Sequence, residues 1–356
     1  MSEVTARLIE ASITIGFTAE QIKEHKNNNG PLNPVVLSVY PEDYCCPPNL
    51  PLFCFPWGAK VKGALQKASS DSFPLVVPTA DGHYFYGACL LVYESAATSQ
   101  DSPREAEQPT ELPQYTPLSE QIHYTSWREL APKCYVLLSK LPYTSDLKTL
   151  LHQVYFTCKG GSLHEHLAFL VKSLTFQSNA VCRVAEVTVR APDPNQLPFS
   201  GCNFEELFQA LSPENVVKVL VGLCVEEKVV LISASARRLV ECGLALATLL
   251  FPFTWVHTFY PLLPTPLINY LHSAHPYLVG VQPQQVDTAF SRCRRGYFVD
   301  LDANSVEFWA QRTFGSFRFS KEPFQPSQVA PNLLKELSNL TRDLPLRTGA
   351  VRRACC

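Results

Sequence analysis

The chain has 356 residues, 46% of them hydrophobic, 17% charged and 11% aromatic, with 30 Lys and Arg against 32 Asp and Glu for a net charge of −2. That balance excludes wholesale disorder and a basic nucleic-acid binder, and at roughly 100–200 residues per domain it leaves room for about two domains with cores of their own. The 13 cysteines are scattered without framework or CxxC spacing, and Met1 to Glu10 carries acid and Arg where a secretory leader is apolar. The reading is a reducing intracellular compartment, most thiols packed as small hydrophobes, and no metal site.

In chain order, Arg7 to Ile15 has a weak strand pattern, interrupted soon after by Asn27-Asn28-Asn29-Gly30-Pro31. Strands are predicted at Val35–Tyr40, Leu52–Pro56, Phe73–Val77 and Tyr84–Tyr93. The last two flank Thr79-Ala80-Asp81-Gly82, a hairpin signal because Asp-Gly supplies the positive φ that a tight turn needs. Tyr84–Tyr93 is apolar on both faces, which predicts an interior strand covered by helices on at least one side. Between Glu94 and Gln121 the composition turns to Ser, Thr, Pro, Gln and Glu, predicting a mobile insertion that packs no core. Ser102-Pro103 and Thr116-Pro117 within it are candidate phosphorylation sites, set against the simpler reading of an unregulated loop. A strand at Lys133–Ser139 and helices at Asp146–Phe156 and His164–Leu174 close a first domain over 1–176.

A second domain, 177–345, begins with a strand at Ala185–Arg190 and a loop at Pro192–Pro198. Asn203 with Glu206 three residues on starts a helix through Ala210, and Ser212-Pro213 starts another toward Glu226. Lys228–Ser233 is a short apolar strand of the kind buried on both faces of an α/β sheet, and Ala236–Phe251 is the helix after it. Cys242–Leu271 holds no charged side chain, but Pro252, Pro261, Pro264 and Pro266 interrupt any membrane span, so a buried helix followed by an extended buried segment is expected. Strands at Tyr277–Val281 and Gly296–Leu301, a helix at Asn332–Asp343 and a flexible tail over 346–356 complete the chain.

Catalytic chemistry is hard to find in this pattern. Ile232-Ser233-Ala234-Ser235-Ala236 stands between strand and helix, as a nucleophilic serine does, yet lacks the flanking glycines of a nucleophile elbow and reads as a helix cap. No GxxxxGK phosphate loop is present. His164 and His166, two apart on a helix, face different directions and read as solvated. His257, His272 and His275 read as structural, and Trp255, Tyr260, Pro261 and Pro264 as core. No catalytic constellation, cofactor or metal ligand set emerges.

The order of these pieces resembles the DENN domain, the module of Rab guanine-nucleotide exchange factors. The resemblance is carried by Leu50–Pro56 and Asp81–Cys89 upstream, by Pro132–Ser139, and most specifically by Leu211–Leu220, Glu226–Ser233, Leu250–Trp255 and Tyr260–Pro264, closing on Pro276–Val281 and Val299–Asp302. It covers roughly residues 34 to 344 and implies an α/β fold with a longin-like N-terminal lobe and a three-layer α/β C-terminal lobe. The downstream helical segment usual in the family has no counterpart after the last predicted helix. The function implied is exchange on a Rab-type small GTPase in vesicle trafficking, in the cytoplasm, with recruitment to vesicle or endosomal membranes. A scaffold that binds a GTPase or another longin protein is the alternative. Such a factor shifts the GTPase toward a conformation that holds Mg²⁺ and GDP weakly and needs no covalent step.

Asp81 and Gly82 at the hairpin tip and Arg128 are the candidate partner-binding residues. Arg128 also admits a third reading, an arginine finger that activates GTP hydrolysis, because some distant relatives place an arginine just before this strand. The terminal Cys355 and Cys356 are similar to the doubly prenylated ends of Rab proteins, and lipidation there would anchor the chain to an anionic membrane; an unmodified tail is the competing reading.

Overall fold

A computed structural model of the chain describes residues 6–28, 32–59, 70–79, 81–95, 130–157, 163–176, 181–184, 187–190, 201–311, 317–319 and 331–341. The predicted insertion from residue 96 onward, the loop at Pro192–Pro198 and the tail over 346–356 lie outside these residues. Two sheets organise what is described, in the mixed α/β architecture expected from the sequence.

The first sheet is built from β2 (Ala11–Gly16), β3 (Val35–Tyr40), β4 (Asp71–Pro78), β5 (Tyr84–Ser95) and β6 (Leu130–Ser139), in the order β3-β2-β6-β5-β4 and antiparallel throughout. A short strand β1 (Ala6–Arg7) precedes it and α1 (Ala19–Asn28) joins β2 to β3. Because strand side chains alternate, β5 sends Ala88, Leu90 and Val92 to one face and Cys89 to the other. The first face is covered by α3 (Thr144–Thr157) and α4 (Leu163–Ser173), which bury Leu147, Leu150, Leu151, Leu167 and Leu170 against it. At its outer end, Glu94 accepts from Lys133 at 2.7 Å and from the Tyr135 hydroxyl at 2.9 Å, tying β5 to β6.

The other face is covered by α2 (Leu50–Cys54), where the sequence pattern predicts a strand. A short apolar run does not distinguish strand from helix by itself. Here Pro51 stands in the first turn, where its missing N–H costs nothing, and Leu50, Phe53 and Cys54 fall on one buried side at helical spacing.

Beyond β7 (Thr175–Phe176), which pairs with β1, the single strand predicted at Ala185–Arg190 is a hairpin of β8 (Val181–Val184) and β9 (Val187–Arg190). The second sheet follows. It contains β10 (Val229–Ile232), β11 (Thr258–Tyr260), β12 (Tyr277–Val281), β13 (Arg295–Asp300), β14 (Ser305–Gln311) and β15 (Phe317–Phe319), ordered β11-β12-β10-β13-β14-β15, with the first four parallel and the last two antiparallel. Val229 and Leu231 of β10 join the core formed with α6 (Pro213–Cys224) and α7 (Ala236–Thr248); Val230 and Ile232 join the opposite core with α8 (Val286–Arg292) and the 3-10 turn Thr265–His272. Three layers result, and α9 (Pro331–Leu340) packs outside them.

The three helices α5 (Phe204–Ala210), α6 and α7 begin where hydroxyl or amide side chains satisfy free backbone donors. Asn203 accepts from the Glu206 amide, Ser212 from Asn215 and Ser235 from Arg238, at 3.3 to 3.4 Å. Gly280 in β12 is fixed by close approach: a Cβ there would stand 2.0 Å from the Pro261 carbonyl oxygen. Among the described residues no single helix is long and apolar enough to cross a membrane.

A chain of charges ties the elements of the second lobe to the first. Arg238 bridges Glu206 of α5 at 3.1 Å and Asp302 at 2.6 Å; Arg237 reaches Glu241 at 2.9 Å; Lys148, from α3 of the first lobe, stands 3.8 Å from Glu241. Glu206 and Glu241 are nearly inaccessible, so each needs its cation. Burial lowers the pKa of Lys148, with repulsion from Arg237 adding to it, while the hydrogen bond to Glu241 raises that of Arg237. Replacing Arg238 by Ala leaves two carboxylates without their main partner, and urea denaturation is expected to show a loss of about 3 kcal/mol. A loss below about 0.5 kcal/mol would mean that these pairs act as ordinary surface bridges.

Candidate functional site

The two lobes meet along α7. Its C-terminal half carries Leu244, Ala247 and Thr248, which line one wall of an apolar groove of about 650 Å³; Tyr84 and Tyr86 of β5 and Pro142 line the wall from the first lobe. Phe204 at the start of α5 and the segment Phe251–Trp255 complete it, with Phe259 of β11 in its lining. Aromatic contacts hold the walls in register: the rings of Tyr84 and Phe259 meet edge to face at 5.7 Å, and Phe53 of α2 stacks on Tyr260 at 6.0 Å. Next to these, the Thr265 amide donates to the Pro56 carbonyl across the junction at 2.8 Å.

The sequence reading places a buried helix through Phe251 and a buried extended segment after it. The helix instead ends at Thr248, because the residue before a proline disfavours helical geometry and Pro252 cannot donate to a further turn. Turns over Leu249–Phe253 then carry the chain outward. Phe251 is 54% exposed, Phe253 75% and Val256 79%, three large apolar side chains within six positions. Trp255, half-buried beneath them, donates from Nε1 to the Thr258 carbonyl at 3.3 Å. The wall tyrosines stay neutral, since burial pushes the hydroxyls of Tyr84 and Tyr86 above their usual range. The groove offers shape and apolar area, and among the described residues its lining holds hydroxyls and an indole but no carboxylate, imidazole, thiol or amine.

Residues singled out from sequence fall elsewhere or take structural roles. Asp81 and Gly82 are at the hairpin tip between β4 and β5, two positions before the groove begins at Tyr84. Gly82 adopts φ 84°, and Asp81 accepts a hydrogen bond from the Thr79 hydroxyl, which holds its carboxyl below the usual range. Arg128, Cys355, Cys356 and the two Ser/Thr-Pro sites lie outside the described residues. Ser233 is fully buried, donates to Asp302 at 2.8 Å and accepts from the Ser235 amide, a capping role with no path to a substrate. His164 and His166 are exposed, as are His272 and His275, while His257 Nε2 lies 3.2 Å from Glu226. Pro261 and Pro264 are buried as expected.

The exposure pattern separates structural from free aromatics. Replacing Phe253 by Ser is expected to change stability by less than about 0.5 kcal/mol. Replacing Phe259 by Ala removes a buried ring and is expected to cost about 3–5 kcal/mol. Thermal or urea unfolding of the two variants checks the contrast, and equal losses would place Phe253 in the core.

The model of the uDENN domain matches residues 34–92, and that of the DENN (AEX-3) domain matches residues 130–304, together well over half of the chain and including both walls of the groove. A DENN domain and WD repeat-containing protein, SCD1 of Arabidopsis thaliana, is 25% identical over 277 residues, which cover 73% of this chain. The matched region spans about a fifth of that relative, 22% of its length. DENN proteins generally bind Rab GTPases. With an upstream match on the first sheet and a central match reaching from β6 to the end of β13, the chain belongs to the DENN family.

Proposed function

We propose that this chain is a guanine-nucleotide exchange factor for a Rab-type small GTPase in vesicle trafficking, acting in the cytoplasm and on trafficking membranes, and that the groove at the lobe junction receives the GTPase. The observation that carries the reading is the exposure of Phe251, Phe253 and Val256 beside a preformed apolar groove, within the segment that matches the DENN domain. Interfaces draw most of their affinity from a few aromatic anchors that enter a desolvated centre, and these side chains have that character. Walls from two rigidly joined lobes suit a partner whose switch segments rearrange, because the partner and not the factor then bears the conformational change. A groove lining whose only titratable groups are the neutral hydroxyls of Tyr84 and Tyr86 suits a reaction driven by differential binding of two GTPase states, with no proton to move.

Release of a fluorescent GDP analogue from a panel of purified Rab proteins tests this reading. The chain is expected to accelerate release from one or two of them, and Phe253→Asp is expected to reduce the acceleration at least tenfold, equivalent to about 1.4 kcal/mol, without loss of fold. Binding to a nucleotide-free Rab with no acceleration would replace exchange by the scaffold function. No binding to any member would reject the groove as a GTPase site.

A further inference from the structure

Cys54, Cys89 and Cys134 come from α2, β5 and β6, far apart in sequence, yet their three sulfurs all lie within 4.8 Å of one another. Each thiol is at most 1% exposed. Cys134 donates to the Cys54 carbonyl at 3.7 Å. The surroundings are the apolar core between the first sheet and α2, with Phe53, Phe55, Val136 and Leu138 among its members. Three convergent sulfurs in a dry setting are what a soft cation selects, whereas hard cations need oxygen ligands that this part of the core does not supply.

We propose that Cys54, Cys89 and Cys134 form a structural site for a soft, thiophilic cation of the Zn(II) or Cu(I) class, which fastens α2 to β5 and β6. Metal–sulfur distances of about 2.3 Å place ligand sulfurs closer than 4 Å to each other, so small rotamer adjustments convert the present triangle into a coordination set. Binding forms one S–metal bond per cysteine and releases the proton of each thiol that ionises to solvent, with no change in oxidation state. Charge selects the protonation: three thiolates on Zn(II), or two thiolates and one thiol on Cu(I), each leave a single net negative charge, and further ionisation in this core is costly. Full burial means that the cation enters as the chain folds. Since α2 also presents Phe53 to Tyr260 of the second lobe, a cation here would stiffen one end of the lobe junction.

The test uses the full chain, purified without chelator from cells supplied with zinc and copper, and elemental analysis by mass spectrometry. About one equivalent of zinc or copper per chain is expected, the element found deciding between the two sources. The control Cys45→Ser/Cys46→Ser/Cys224→Ser, which removes more accessible thiols, is expected to keep the metal; Cys89→Ser/Cys134→Ser is expected to lose it. Should that second variant fail to fold, the wild-type chain refolded with Cd(II), or with Cu(I) under anaerobic conditions, still decides: a thiolate-to-metal charge-transfer band at about one equivalent supports the site. A metal-free wild-type chain with no such band after either refolding overturns the proposal, and so does a disulfide between any two of the three cysteines in the chain as purified.

Discussion

One apolar core passes from the first sheet into the second lobe, and the placement of every other feature depends on it. Ile13 and Ile15 of β2, Phe53 of α2, Leu239 and Val240 of α7, and Val229 and Leu231 of β10 belong to the same buried cluster. Lobes joined through small polar contacts are expected to move against each other; lobes that share a core of this kind move as one body. The edge-to-face contact of Tyr84 with Phe259, the stack of Phe53 on Tyr260 and the reach of Lys148 toward Glu241 all cross this boundary. The groove owes its shape to the junction, because one wall belongs to each lobe.

That constraint also explains how side chains such as Phe253 and Val256 stay exposed. The core is completed without them, by Leu250, Phe259 and Leu262 on either side, and Pro252 turns the chain away from the helix that precedes it. Large apolar side chains left in solvent beside a concave surface mark a place where another molecule contributes the missing contacts. The proposed function rests on shape and apolar area, which suits a factor that acts through differential binding.

Much of the fold was legible because local signals and tertiary structure agree. The caps at Asn203, Ser212 and Ser235, the Asp81-Gly82 turn and the apolar strand at Val229–Ile232 each have a cause within a few residues. The strand predicted at Leu52–Pro56 overlaps the helix Leu50–Cys54 because a short apolar run satisfies either period, and only packing against the first sheet selects the helix. Phe251–Val256 was misread as buried for a related reason: hydrophobicity reports the tendency to be covered and does not say whether this chain or a partner supplies the cover. The approach of Cys54, Cys89 and Cys134 leaves no trace in sequence spacing, since a helix and two strands bring them together.

The most direct test of the account is hydrogen–deuterium exchange of the chain alone and with a nucleotide-free Rab that it binds. The account predicts slowed exchange in the amides of Leu249–Tyr260 and around Tyr84–Tyr86, on both walls of the groove at once. Protection confined to another surface, such as β3 at the end of the first sheet as described, with the groove unchanged, would contradict it.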